Sequence, residues 1–204
     1  RSSFYDDGSG FSGFGGFGGH GSAGFDQKGQ DLNASVSVTF DEAAFGCDKR
    51  ITLQDQSGKA QTLEVHIPAG IDSGKSIRLR GKGMPGTGKG GAGDLLLKVT
   101  VQPKAGYERK GMDVYTTVSI PYTTAVFGGE ARVHTLYGDV MCKIKEGTQS
   151  GSKIRLRGKG IVSMKDANVH GDQYVTVQIQ VPRHLNAEAR QKLMEYKKAA
   201  AGGR

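Results

Sequence analysis

Two cysteines, five histidines and one glycine-rich run holding a lysine are the residues from which this chain could build chemistry. Cys47 and Cys142 stand far apart, which excludes a disulfide framework and any Cys-rich zinc module, since that needs four clustered ligands. The histidines, His20, His66, His134, His170 and His184, show no metal-ligand spacing, and neither cysteine has a base beside it in sequence. GKGMPG (81–86) matches G-x-G-x-x-G, and GMPGTGKG (83–90) approaches a phosphate-binding loop. That loop needs Ser or Thr after its lysine to hold magnesium and a helix behind it; here Gly90 follows Lys89 and a strand comes next. The expectation is a mobile surface loop, with no catalytic residue, no metal and no cofactor.

Charge offers a second route to function. The chain carries +8, but residues 1–31 are net negative and the remainder is strongly basic. A basic body can attract nucleic acid, an anionic surface or an acidic peptide. In SIRLR (76–80), however, Arg78 and Arg80 alternate with Ile77 and Leu79, which puts the arginines on the wet face of a strand. Aromatic residues that would stack on bases are missing there. Apolar alternation is the third candidate. Val36 and Val38, Ile51 and Leu53, and Leu95, Leu97 and Val99 each alternate with other residues. Such sets build an ordinary core, or a groove beside a sheet edge to which an extended peptide adds a strand.

The elements that must position these residues are mostly strands. Alternation marks strands at 34–40, 49–54, 61–67, 76–80, 95–102, 113–120, 131–136, 140–145, 153–157 and 173–181. A turn at 55–60 would join the second and third. DEAAFG (41–46) and TTAVFG (123–128) read as single helical turns. NAEARQKLMEYKKAA (186–200) is a true helix pattern, capped by Asn186, with Ala189, Leu193 and Tyr196 on a face that would meet the body or a second chain. No apolar run approaches the length of a membrane span, and residues 1–10 hold no apolar leader, so the expected compartment is the reducing cytoplasm, without a membrane partner.

An internal repeat organises the whole. SGKSIRLRGKG (73–83) recurs as SGSKIRLRGKG (150–160), VSVTFDEAAFG (36–46) as VSIPYTTAVFG (118–128), and GDLLLKVTV (93–101) as GDQYVTVQIQV (171–181). The fold class expected is therefore all-β: two tandem, similar, sandwich- or barrel-like β domains with short helical turns and a C-terminal helix. The expected boundaries are a Gly/Phe-rich linker at 1–31, domains at 32–105 and 106–183, and a helical tail at 184–204. Ten of the 33 glycines and five of the eight phenylalanines fall in residues 1–31, which reads as a flexible tether with sticky aromatic points.

The Gly/Phe-rich segment, GQDLNASVSVTFDEAAFG, LEVHIPAGIDSGKSIRLRGKGMPG and the ending GDQYVTVQIQVPRHLNAEARQKL together resemble the C-terminal region of the DnaJ family of co-chaperones. The resemblance covers essentially the whole chain. It implies peptide-binding β domains that hold unfolded client polypeptides and hand them to a DnaK-type chaperone. The family's J domain with its His-Pro-Asp tripeptide is missing, so the chain looks like a fragment beginning within the Gly/Phe linker. Its cysteine-rich zinc repeats are missing too, so the chain is similar to the zinc-free class B type. By resemblance, a client groove falls on Ala34, Val36, Ile51, Leu53 and Leu97, and Lys49 contacts the acidic tail of the partner chaperone. The terminal helix would join two protomers. The rival expectation is a nucleic-acid or nucleoid binder that uses the basic body.

Overall fold

The computed structural model describes residues 26–54, 58 and 60–202, so residues 1–25 of the expected tether and most of the expected turn at 55–60 lie outside the described residues. The chain runs β1 (Leu32–Val38), α1 (Phe40–Phe45), β2 (Cys47–Gln54), β3 (Ala60–Ile67), β4 (Ser76–Leu79) and β5 (Leu95–Val101). It continues with β6 (Glu108–Lys110), β7 (Asp113–Pro121), α2 (Tyr122–Phe127), β8 (Gly129–Thr135), β9 (Gly138–Ile144), β10 (Lys153–Leu156), β11 (Gln173–Gln180) and α3 (Ala187–Ala201). It is a mainly β fold in two similar halves, as the repeat implied.

In the first half β1, β5 and β4 form one sheet in that order, and β2 pairs with β3 as a separate ribbon. β1 lies parallel to β5, with Val36 opposite Val99, and β4 lies antiparallel on the other side. In the second half the order is β10-β11-β7-β6, with β8 and β9 as the ribbon. The parallel pair recurs there as β7 with β11. Strand β6, between the expected strands 95–102 and 113–120, pairs with the first three residues of β7. Its alternation spans only three residues, too few to stand out from a loop.

Alternation explains the packing. Side chains on successive strand residues face opposite sides, so Val36, Val38, Val65, Ile67, Leu97 and Val99 point into one core between sheet and ribbon. Ile120, Ala131, Ile144 and Val177 build the matching core of the second half. Helix α1 begins at Thr39, whose hydroxyl accepts the Glu42 N–H while Glu42 accepts the Thr39 N–H, a reciprocal cap. Helix α2 begins at Pro121 without a side-chain cap.

The two halves meet through a third cluster, in which Phe40 and Ala44 of α1 pack with Val114 and Ile161. Arg109 of β6 reaches across this joint. Its Nη1 donates to the Ile71 carbonyl at 2.5 Å, its Nη2 to the Gly70 carbonyl at 2.8 Å, and its Nε to the Gly111 carbonyl at 2.8 Å. Partial burial lowers the guanidinium pKa, because desolvation disfavours the charged form. Helix α3 has Asn186 as its cap and no buried residue. Of its expected face, Tyr196 reaches the body, its hydroxyl 2.9 Å from that of Tyr122, while Leu193 stays exposed.

Candidate functional site

The candidate groove residues come from three strands of the first half. Ala34 and Val36 lie on β1, Ile51 and Leu53 on β2, and Leu97 on β5 opposite Ala34. Leu97 is fully buried and Val36 is 9% exposed, so both belong to the floor. Ala34 and Ile51 are half-buried and pack against that same floor. Leu53 is half-buried near the outer end of β2, opposite Gln61.

The ribbon is asymmetric. On β3 the inward side chains Leu63, Val65 and Ile67 are all buried. On β2 the inward side chains Cys47, Lys49, Ile51 and Leu53 are all half-exposed. A half-exposed row, or shelf, therefore runs along β2, and of it Cys47 and Ile51 pack on the same core as Val36 of β1. The outer edge of β1 pairs with no strand among the described residues. Register fixes which groups that edge offers: the Leu32 N–H donates to the Asp94 carbonyl and the Val38 carbonyl accepts from the Gln102 N–H. Even-numbered residues of β1 thus bond towards β5, and Asn33, Ser35 and Ser37 turn their N–H and C=O groups outward. Unpaired strand edges are templates for an added strand, and the half-exposed row of β2 can take its side chains.

Lys49 stands at the polar end of this shelf. Its ammonium lies 3.0 Å from Glu42 Oε2, the oxygen that also accepts the Thr39 N–H. The Thr39 amide, then the Lys49 side chain, hold the Glu42 carboxyl below its ordinary pKa. Lys49 is thus tied to the α1 cap, and a carboxylate arriving from outside would compete with Glu42.

Several features escape a sequence reading. The arginines of the two IRLRGKG copies are exposed, yet not merely solvated. Arg78 Nε donates to Asp94 at 2.7 Å, its Nη2 contacts the same oxygen, and the other Asp94 oxygen accepts the Gly81 N–H at 2.9 Å. Asp94 N–H donates in turn to Asp31 at 2.7 Å. The second half repeats the device: Arg155 and the Gly158 N–H bind Asp172, and Asp172 N–H binds Asp113. The Gly81 amide, then Arg78, hold the Asp94 carboxyl down to about 2; Asp172 is lowered by the equivalent groups. Two arginines that could have faced phosphates are therefore engaged internally. The repeated R-x-x-G with its following GD was the legible trace of this device.

The glycine-rich run differs from the expected mobile loop. It closes around residues 26–31: Lys89 N–H donates to Asp26 at 2.7 Å, Thr87 N–H to the Gln27 carbonyl and Met84 N–H to the Gln30 carbonyl, both at 2.9 Å. Glycine is required at this contact. A Cβ on Gly90 would lie 2.0 Å from the Gln27 carbonyl oxygen, and one on Gly93 would lie 2.1 Å from that of Gln30. The run is a clasp on the chain's own backbone, which occupies the N–H groups a phosphate would need.

Cys47 and Cys142 are free, and burial pushes both thiols up, away from the reactive thiolate. Among the described residues no group of three His, Cys, Asp or Glu is placed to hold a metal ion. Among them, too, no helix is long and apolar enough to cross a membrane.

Both halves thus carry parallel central strands and an Arg–Asp–Gly device. Residues 32–182 match the DnaJ C terminal domain family, and the chain belongs to that family. It is 45% identical over 142 residues to a Chaperone protein DnaJ of Lachnospira eligens, covering 70% of this chain and 38% of that protein. A Chaperone protein DnaJ of Burkholderia pseudomallei is 45% identical over 145 residues, 71% of this chain and 38% of its own length. The chain thus spans about two fifths of the length of these relatives.

Proposed function

We propose that the chain is the client-holding part of a cytoplasmic DnaJ-type co-chaperone, acting by binding and not by catalysis. The observation that carries this reading is that β1 has an open edge and that half-exposed Ile51 of β2, two residues before half-exposed Leu53, packs on the same core as Val36 of β1. An extended, apolar segment of an unfolded protein adds to that edge and lays one or two large side chains on the shelf. Each buried side chain contributes about 1.5–3 kcal/mol. Ordering the segment offsets much of this, so a single site binds weakly and exchanges quickly. Weak, general binding suits a holder that must release its client to a DnaK-type chaperone. An acidic tail of that chaperone would displace Glu42 from Lys49.

Two protomers joined through α3 would grip one client at two points and gain avidity without new contacts. The exposed Leu193, Met194 and Tyr196 suit such a joint. The test is fluorescence anisotropy of a labelled, Leu-rich unfolded peptide at low salt and at about 0.5 M salt, where charge attraction is screened within a few ångströms. Binding that persists in salt and is lost in Ile51→Ser/Leu53→Ser supports the groove. Binding that collapses in salt and ignores both substitutions would replace it with a charge-driven reading such as nucleic acid.

A further inference from the structure

We propose that the glycine-rich loop 83–93 is a positioning element for the client site: it holds residues 26–28 away from the open edge of β1, where they would otherwise fold as an added strand. The inference rests on the groove reading above and supplies the device that keeps the start of that edge free.

The internal repeat carries it. DQKGQD (26–31), ahead of β1, recurs as ERKGMD (108–113) at the start of β7. The two copies run alike from Gln30 and Met112 onward. The Gln30 carbonyl accepts the Met84 N–H at 2.9 Å, and the Met112 carbonyl accepts the Ile161 N–H at 2.7 Å. One residue earlier the paths part. In the second half Gly111 turns the chain with a φ of 63°, and β6 lies antiparallel on β7, with Glu108 opposite Tyr115 and Lys110 opposite Asp113. In the first half Gly29 stays outside that left-handed range, and its N–H donates to the Gly91 carbonyl at 2.9 Å. Residues 26–28 are drawn to the loop instead. The Gln27 carbonyl accepts the Thr87 N–H, and Asp26 accepts the Lys89 N–H. Closely similar sequences thus take two courses, one covering a strand edge and one leaving it open.

Distant contacts select between these courses. Arg109 ties β6 to the Gly70 and Ile71 carbonyls across the joint. Gln27, at the matching position, brings no guanidinium and is held by the loop. The turn K-G-x-D is common to both copies, and glycine enters the left-handed region at little cost. The hairpin is therefore open to residues 26–31 once the loop releases them. Folded back, residues 26 and 28 would bond the outward N–H and C=O groups of Asn33 and Asp31, and a client strand needs those of Asn33.

The experiment compares the 204-residue chain with Gly90→Ala and with Gly90→Ala/Lys28→Pro. A Cβ on Gly90 would lie 2.0 Å from the Gln27 carbonyl oxygen, so the first variant opens the clasp. Proline at 28 removes the N–H that the hairpin donates to Asp31. Asp26→Ala, which removes the bond from Lys89, gives the same test in a milder form. Affinity for a Leu-rich peptide is read by anisotropy. Exchange of the Asn33 amide is read by NMR, with the Tyr115 amide as the covered reference. Gly90→Ala should weaken the peptide about three- to tenfold, because affinity falls with the open fraction. It should also slow Asn33 exchange towards that of Tyr115, and Lys28→Pro should reverse both effects. A loop that serves stability alone gives neither slowing at Asn33 nor rescue by proline, and either result overturns the inference. Peptide binding lost on Leu53→Ser, while Asn33 exchanges freely in Gly90→Ala, rejects the role of the loop and spares the groove. Slowed Asn33 with unchanged peptide affinity rejects the β1 edge as the client's, and the inference falls with the groove.

Discussion

The two β domains share their central devices and differ in the cover of the ribbon, in the extra strand β6 and in the cap of the short helix. Both carry a parallel central pair, β1 with β5 and β7 with β11, and both lock a glycine turn with an arginine and an aspartate. The repeat aligns Ile51 with Val133 and Leu53 with Thr135. In the second domain Val133 is 3% exposed and Thr135 8%, so the ribbon closes over its core. In the first domain the same positions stay half-exposed, and the edge of β1 has no counterpart of β6. A duplicated fold thus holds its own control: the same ribbon positions are covered in one copy and half-exposed in the other.

This contrast breaks first at its shared floor. Leu97→Ala removes a fully buried side chain beneath the shelf and should cost about 2–5 kcal/mol in urea unfolding. A loss below about 1 kcal/mol would mean the floor is not packed. Next, Val133→Ser should cost about 2–3 kcal/mol and leave peptide affinity alone. Its counterpart Ile51→Ser should cost roughly half as much and weaken the peptide about tenfold or more. Equal effects of the two on binding would erase the distinction between domains.

Arg109→Ala leaves the Gly70, Ile71 and Gly111 carbonyls without this partner and should cost about 1–3 kcal/mol. The loss should appear as earlier thermal unfolding of the joint, with peptide affinity at the β2 shelf retained. Thr39→Ala removes the cap of α1 and should cost about 1 kcal/mol, whereas α2 has no such cap to lose.

The smallest effect near neutrality is the pH dependence. Asp94 is lowered from 3.8 to about 2 in the fold, so its contribution is complete above about pH 4 and is lost as pH falls towards 2. Asp94→Asn should flatten acid unfolding in that window, and Asp172→Asn should do so in the same direction. An unchanged acid limb in Asp94→Asn would remove the Arg–Asp device from the account of stability.

Much of the fold was legible because period-2 alternation and an internal repeat are strong marks. The positions of α1, α2 and the Asn186 cap followed from local chemistry alone. The groove was less so. Alternation names Val36, Ile51 and Leu97 as inward but cannot say which inward residues are covered, because burial depends on what the opposite strand brings. Leu97 and Val36 became floor, while Ile51 and Leu53 became shelf. Lys49 was named by resemblance, yet its partner Glu42 depends on how α1 meets β2. The clasp, β6 and the Arg109 latch all join residues distant in sequence, and nothing in the local pattern of 26–31 or 108–110 announces a partner.

Methyl-resolved NMR titration of the chain with an unfolded Leu-rich peptide tests the central claim most directly. The groove predicts that the Ile51 and Leu53 methyls shift in proportion to bound peptide, with Val36 following and Val133 unmoved. Shifts concentrated at Val133 and its neighbours, with Ile51 and Leu53 silent, would contradict it.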